Sequence, residues 1–295
     1  MKIKTGYLSF GKYHTYYRIV GEPSPKPPLV LLHGGPGSTH NYFEILDQLA
    51  QDDQRQLIMY DQLGCGLSSI PDETPAVYNP TTWVRELIEL RQQLHLDHIH
   101  LLGQSWGGML AIIYLCDYQP TGIQSVILAS TLSSAQLWST EQHRMIKLLP
   151  QNEQAAIANA EQAGNYQDPG YLNANAHYMR LHCADEPTAN SPECLRRTKN
   201  VGTVAYQTAW GPNEYTPLGN LRNYDYTKKL PQITIPALIT SGTNDLCTPI
   251  VAKTMADQLP NATWQLFENT RHMSFVEKTF EYKQLLKSWL NQHDS

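Results

Sequence analysis

The segment Ile99-His100-Leu101-Leu102-Gly103-Gln104-Ser105-Trp106-Gly107-Gly108 connects an apolar run to a helical pattern and decides the fold class. Its first four residues predict a buried strand, and the apolar residues 109–116 predict a helix buried on all sides. Between them lies Gly-x-Ser-x-Gly, which places a serine on a tight turn where flanking side chains would clash. A glycine-rich turn without chemistry is the plain alternative. Because strand and helix patterns flank the motif directly, we interpret Ser105 as a catalytic nucleophile.

Further apolar runs alternate with helical patterns, which indicates an α/β protein. Near-continuous apolar strands are typical of a mostly parallel sheet with helices on both faces. The predicted strands are residues 29–32, 57–60, 99–102, 126–129, 237–240 and 264–267. Val84, Leu87, Ile88 and Leu94 keep helical spacing and predict an amphipathic helix.

The pattern changes after residue 130, where helical stretches rich in Gln, Asn and Ala replace strands. Ser139-Thr140-Glu141-Gln142 predicts a capping box at a helix start, and Thr248-Pro249 predicts another helix start. We therefore expect an α/β core formed by residues 1–130 and 229–295, with an inserted helical cap over residues 131–228.

Length and charge exclude several classes of protein. The chain has 295 residues, 41% of them hydrophobic, so it can bury a sizeable core. Its 22 basic and 27 acidic residues give a net charge of −5, which predicts neither nucleic-acid binding nor attraction to an anionic membrane. The apolar stretches are far shorter than the roughly 18 residues that a membrane span requires.

The five cysteines indicate a reducing compartment. Their number is odd and no Cys-x-x-Cys occurs, which favours neither a disulfide framework nor a zinc site. Only Cys183 and Cys194 are plausible partners for each other. The N-terminus lacks an apolar signal region. We expect a cytoplasmic protein, with a loose association with the cell envelope left open.

A second glycine motif, His33-Gly34-Gly35-Pro36-Gly37, ends the first strong predicted strand. Serine hydrolases of this shape need a backbone N–H from that loop to face the developing oxyanion. We expect the N–H of Gly35 to be one donor and the N–H of Trp106 to be the other. A phosphate-binding role is excluded, since no Lys-Ser/Thr pair follows the glycines.

The remaining members of a catalytic triad are expected later in the chain, in the order acid, then histidine. Asp245 follows the predicted strand 237–240, and His272 follows the last predicted strand. Strand-end loops are where such a fold places catalytic groups. The spacing of His95, His98 and His100 matches no set of metal ligands, so we predict neither a metal nor another cofactor.

These motifs resemble those of the proline iminopeptidases, which have the α/β-hydrolase fold, and are most similar to those of lactic acid bacteria. The resemblance rests on the two glycine motifs and on three further segments, and it covers nearly the whole chain. The further segments are Asp61-Gln62-Leu63-Gly64-Cys65-Gly66, Gly211-Pro212-Asn213-Glu214 and Gly242-Thr243-Asn244-Asp245.

The resemblance implies a serine exopeptidase that releases N-terminal proline from peptides through a prolyl-Ser105 acyl-enzyme. It implies that Glu214 binds the free ammonium group of the substrate. Tyr206 and Trp210, near Glu214 in the sequence, are candidate walls of the proline pocket. The sequence departs from many relatives at Arg271, where glycine is common, and at Leu246, where some carry a second acid. Asp185, Glu186 and Glu193 are candidates for that second carboxylate.

Other activities stay open at this stage. An amino-acid amidase or a broad-specificity aminopeptidase would share every residue named above, and an esterase is a weaker alternative. A binding protein on a hydrolase fold would require a broken triad, and all three positions are occupied. The expected partners are short peptides with a free N-terminal proline, and the sequence does not decide between a monomer and a homo-oligomer.

Overall fold

The computed structural model describes residues 1–70 and 75–294 and places eight strands in one sheet. The strands are β1 (Ile3–Phe10), β2 (Tyr13–Val20), β3 (Leu29–Leu32), β4 (Leu57–Tyr60), β5 (Ile99–Gln104), β6 (Ile123–Ala129), β7 (Ala237–Gly242) and β8 (Ala262–Phe267). Their order across the sheet is β1-β2-β4-β3-β5-β6-β7-β8. β1 and β2 pair antiparallel with their neighbours, whereas β3 to β8 run parallel.

Apolar cores cover both faces of the sheet. Successive side chains of a strand point to opposite faces, so each central strand contributes to both cores. Val30 and Leu32 join the apolar core on one face, and Leu29 and Leu31 join the core on the other.

The α-helices are α1 (Gln48–Asp52), α2 (Pro80–Gln93), α3 (Trp106–Ile113), α4 (Ala135–Ile146), α5 (Gln151–Ala163), α6 (Pro169–His182), α7 (Glu193–Arg196), α8 (Thr203–Ala209), α9 (Pro249–Gln258), α10 (Ser274–Glu277) and α11 (Thr279–Gln292). Buried residues of α2, α3 and α9 belong to the first core, and those of α11 belong to the second.

The six predicted strands are confirmed, and the amphipathic helix is α2. β1 and β2 were not predicted. β1 forms the edge of the sheet and contains no buried residue, and β2 carries polar residues at several positions, so neither strand has a continuous apolar run. The predicted capping box is wrong: α4 begins at Ala135, and the hydroxyl of Ser134 accepts a hydrogen bond from the N–H of Leu137. The predicted start at Thr248 is confirmed, since its side chain accepts from the N–H of Val251.

The segment between β6 and β7, described throughout, holds helices α4 to α8 and no strand. It lies against loops at the carboxyl ends of the parallel strands. The N–H of Gly202 donates to the carbonyl of Gly37 at 2.7 Å, and the N–H of Gly66 donates to the carbonyl of Asn200 at 2.7 Å. Within the described residues, no helix is long and apolar enough to cross a membrane.

Candidate active site

Ser105 occupies the sharp turn between β5 and α3. Its backbone adopts φ 54° and ψ −122°, a conformation that costs a residue with a side chain about 1–3 kcal/mol. The flanking glycines explain why the turn closes: a Cβ on Gly103 would lie 2.3 Å from the carbonyl oxygen of Gly107. A Cβ on Gly107 would lie 1.9 Å from the carbonyl oxygen of Leu32. The strained turn therefore presents Ser105 at the carboxyl edge of the sheet.

Asp245 follows β7, and its carboxylate is buried and fully hydrogen bonded. Oδ2 accepts from the hydroxyl of Ser130 at 2.6 Å and from the N–H of Gly242 at 3.0 Å. Oδ1 accepts from the N–H of Cys247 at 2.8 Å and lies 2.7 Å from Nδ1 of His272. These donors fix the carboxylate in one orientation toward the imidazole.

His272 follows β8 and is buried beside this carboxylate. Because Asp245 is an acceptor, Nδ1 of His272 carries the proton and Nε2 keeps its lone pair. The side chain of Gln104 donates to the carbonyl of His272 at 3.5 Å, which places the histidine loop beside the serine turn. Among the described residues, no hydrogen bond connects Ser105 Oγ with Nε2 of His272.

Two backbone amides, one in the glycine loop after β3 and one at the start of α3, lack an acceptor among the described residues. Within residues 1–70 and 75–294, neither the N–H of Gly35 nor the N–H of Trp106, the first residue of α3, donates a hydrogen bond. The neighbouring Gly34 N–H donates to the Tyr42 hydroxyl at 2.6 Å, and that hydroxyl donates to Gln104 at 2.9 Å. These bonds hold the glycine loop against the serine turn, and the start of a helix favours developing negative charge.

Glu214 lies in the loop after α8, where its carboxylate accepts from the hydroxyl of Tyr206 at 2.8 Å. Burial raises the pKa of this carboxyl, and the hydrogen bond from Tyr206 opposes that rise. The backbone carbonyl of Glu214 accepts from the indole N–H of Trp138 at 2.7 Å. The same indole packs edge-on against His272, with ring centres 6.0 Å apart. Glu214 and His272 therefore share one neighbourhood.

The three further carboxylates considered for the substrate ammonium lie elsewhere. Asp185 pairs with Arg271 and Glu193 pairs with Arg197, and both acids have mostly exposed side chains. Glu186 is exposed as well. Leu246 is fully buried. The structure thus brings Glu214 near the triad residues without these three acids.

Sequence reasoning missed Ser130 and His182, which contact the loops of Asp245 and His272. Ser130 directly follows a predicted strand, so its place at the carboxyl edge was a usable signal. The sequence did not single out His182, since the residues that it joins, Asn244, Leu246 and His272, lie more than 60 positions further along the chain. Of the two aromatic candidates, Tyr206 contacts Glu214, whereas Trp210 is buried in the core.

A family model described as the alpha/beta hydrolase fold matches residues 27–279. A proline iminopeptidase from Lactobacillus helveticus (strain DPC 4571) is 66% identical over 294 residues, which cover 100% of both chains. This chain belongs to the proline iminopeptidase family. The crystal structure of the Mycobacterium smegmatis proline iminopeptidase matches with a TM-score of 0.86 at 30% identity, covering 99% of each chain. The crystal structure of VinJ matches with a TM-score of 0.90 at 29% identity, covering 98% of this chain and 99% of VinJ.

Membership of the proline iminopeptidases agrees with the fold and with the motifs from which it was predicted. The expectation of an α/β hydrolase with a mostly parallel sheet is confirmed. Among the described residues, no group of three or more His, Cys, Asp or Glu side chains is arranged to hold a metal ion.

Proposed function

We propose that this family member is a serine exopeptidase that releases N-terminal proline from short peptides. The observation that carries this proposal is that the Glu214 carboxylate has no cationic partner. Among the described residues no cation pairs with this half-buried carboxylate, which has only the Tyr206 hydroxyl as a donor. A buried carboxylate is stabilised by an opposite charge, and the free amine of an N-terminal residue supplies one. A blocked amine would leave the carboxylate uncompensated, so the site selects free N-termini.

Ser105 is the nucleophile and His272 is the base. With Nδ1–H bonded to Asp245, the lone pair of Nε2 accepts the proton of Ser105 as Oγ attacks the prolyl carbonyl. The contact between Oγ and Nε2 forms with substrate bound, as is common for catalytic hydrogen bonds that are long in the free enzyme. The protonated imidazole then gives its proton to the leaving amine.

The N–H groups of Gly35 and Trp106 stabilise the tetrahedral intermediate. Both donors lack an acceptor among the described residues, and hydrogen bonds from Gly34 to Tyr42 and from Tyr42 to Gln104 join their two loops. Preorganised donors of this kind lower the barrier because they need no reorientation as the charge develops. Water then hydrolyses the prolyl-Ser105 ester with His272 as base, and the reaction requires no cofactor.

Residues 131–228 act as a cap that admits short peptides. A cavity of 280 Å³ separates the glycine loop from the start of α8, and Gly35, Val201 and Tyr206 line it. Its lining therefore includes the residue of the proposed oxyanion donor, Gly35, and the residue whose hydroxyl binds Glu214, Tyr206. We assign this cavity as the mouth of the site.

We place the enzyme in the cytoplasm. All five cysteines are free in the structure, including Cys183 and Cys194, and four of the five are buried. Free thiols of this kind are typical of proteins in a reducing compartment.

The test compares products from Pro-Xaa-Xaa and Ala-Xaa-Xaa tripeptides and from a simple acetate ester, with Ser105→Ala as the blank. The proposal predicts free proline as the main product and no turnover by Ser105→Ala. Similar rates for alanine and proline peptides would indicate a broad aminopeptidase. Turnover of the ester alone would contradict the peptidase assignment.

A further inference from the structure

His182, the last residue of α6, contacts both loops that carry the proposed acid and base. Its carbonyl oxygen accepts from the N–H of Leu246 at 3.3 Å and from the N–H of His272 at 3.1 Å. Its Nδ1 lies 2.9 Å from the carbonyl oxygen of Asn244 and donates to it. Since Asn244 and Leu246 flank Asp245, one residue of the inserted segment connects the acid loop with the histidine loop.

Arg271, the residue before His272, makes a second connection to α6. Its Nη1 donates to the carbonyl of Arg180 at 2.6 Å, and its Nη2 donates to Asp185 at 2.7 Å. On the core side, Nε and the backbone N–H of Arg271 donate to the two carboxylate oxygens of Glu277, each at 2.6 Å. A single guanidinium therefore joins the end of α6, the histidine loop and α10.

The strengths of these contacts differ. The side chains of Arg271 and Glu277 are only 20% and 19% exposed, so their two-point contact is little screened by solvent. The side chain of Asp185 is 73% exposed, and exposed ion pairs contribute little. The bond from Arg271 to the Arg180 carbonyl is exposed as well, so the two backbone bonds to the His182 carbonyl carry most of the connection to α6.

We propose that Arg271 and His182 are positioning residues that hold α6 against the loops of Asp245 and His272. The position of the inserted segment on the core then determines the position of the His272 imidazole. Neither side chain touches the reacting atoms. A displacement of about 1 Å at a reacting group can cost roughly 100-fold in rate, so contacts that fix the loop backbone act directly on turnover. This inference rests on the proposed role of His272 as the base.

The test uses two pairs of variants, Arg271→Ala with Arg271→Lys and His182→Ala with His182→Asn. Rates on a proline amide are divided by the number of sites titrated with an active-site phosphonate. We expect Arg271→Ala to lower kcat about 10- to 100-fold with KM within about threefold of wild type. His182→Ala keeps both bonds to its backbone carbonyl and loses only the Nδ1 bond to Asn244, so we expect a smaller loss of about 3- to 10-fold. His182→Asn recovers most of the loss, because its amide can donate from the place of Nδ1, and Arg271→Lys recovers part of it.

Lys253→Ala is the matched control, since it removes an exposed ion pair with Asp257 on α9, and it should leave kcat unchanged. Where Arg271→Ala fails to fold, Glu277→Gln weakens the same contact while keeping the shape of the side chain. A kcat per titrated site that stays at the wild-type value in the alanine variants overturns the inference. A loss explained wholly by fewer titratable sites overturns it as well.

Failure of the proposed function gives a different result. If wild type does not cleave the amide, the rate of phosphonate labelling at Ser105 provides the same comparison among the variants. Slower labelling in both alanine variants then still supports the positioning role, and unchanged labelling contradicts it.

Discussion

The hydroxyl of Ser130 donates to Oδ2 of Asp245 at 2.6 Å. Ser130 follows β6 and Asp245 lies after β7, so the contact forms where two neighbouring parallel strands end. Together with the N–H groups of Gly242 and Cys247, it leaves Oδ1 facing His272. The carboxylate is thus oriented by donors from two strand ends, and the histidine meets an acid that is already fixed.

Ser130→Ala should lower kcat about 10-fold and leave KM nearly unchanged. The variant removes one hydrogen bond to a charged acceptor, and a loss of about 1.4 kcal/mol in the transition state corresponds to tenfold in rate. Steady-state kinetics on a proline amide measure the effect. Ser133→Ala is the control, because that hydroxyl bonds to Thr227 in the same segment and not to Asp245. Equal kcat values for Ser130→Ala and wild type would remove Ser130 from the site.

Tyr206→Phe should move the acid limb of the kcat/KM profile to higher pH. The Tyr206 hydroxyl donates to the carboxylate of Glu214 and lowers its pKa, so removing it raises that pKa further. Protonated Glu214 cannot pair with the substrate ammonium, and activity is therefore lost at a higher pH. Profiles between about pH 4.5 and 8 measure the shift, and Tyr226→Phe, whose hydroxyl bonds to Asp117, is the control. An acid limb that stays in place or moves to lower pH would contradict the role of Tyr206.

Glu86→Gln should raise the stability of the protein at pH 8 more than at pH 5. Burial raises the pKa of Glu86 from 4.5 to about 8, against hydrogen bonds from Thr15 and from the N–H of Leu63. The stability that this raised pKa provides is fully present below the unfolded pKa near 4.5 and is lost as pH rises through about 8. Glutamine stays neutral, so the variant lacks this pH dependence.

Denaturant unfolding of Glu86→Gln and wild type at both pH values measures the difference. Glu89→Gln is the control, since it makes the same substitution on the more exposed side of α2. If the difference in unfolding free energy between Glu86→Gln and wild type is the same at pH 5 and pH 8, the pKa of Glu86 is not raised in the folded state.

Gly107→Ala should destabilise the protein by at least about 2 kcal/mol and abolish phosphonate labelling of Ser105. Its new Cβ would lie 1.9 Å from the carbonyl oxygen of Leu32. Leu32 belongs to the central strand β3, so relieving this clash would displace the serine turn. Gly164→Ala is the control for the steric clash: its φ of +64° is unfavourable for alanine, but its new Cβ would meet nothing within 4 Å. We expect Gly164→Ala to cost about 1–2 kcal/mol and to keep full labelling. A stable, fully labelled Gly107→Ala would contradict the structure of the turn.

Sequence patterns predicted the parts of the molecule that depend on local chemistry. Glycines at 103 and 107 identify the turn at Ser105, because only glycine fits there. The order of Asp245 and His272 after apolar strands follows from the topology of a parallel sheet, which brings strand ends to one edge. The positions of these residues in the fold were predictable, since each prediction needed only its own segment and the fold class, whereas their catalytic roles stay predictions.

The rest depended on contacts between distant segments. The end of α6 meets the histidine loop through a bond from Arg271 to Arg180, which are 91 residues apart. The start of α4 was misplaced because Ser134 and Ser139 both suit a helix cap, and only packing against the core selects Ser134. β1 escaped detection because an edge strand needs few apolar residues.

The most direct measurement is hydrolysis of a proline chromogenic amide in its free and N-acetylated forms by wild type and Glu214→Gln, with Ser105→Ala as the blank. We predict rapid cleavage of the free amide by wild type, little cleavage of the acetylated form, and loss of most of this discrimination in Glu214→Gln. Equal cleavage of both forms by wild type would contradict the assignment of Glu214 as the group that binds the substrate ammonium, and with it the exopeptidase mechanism.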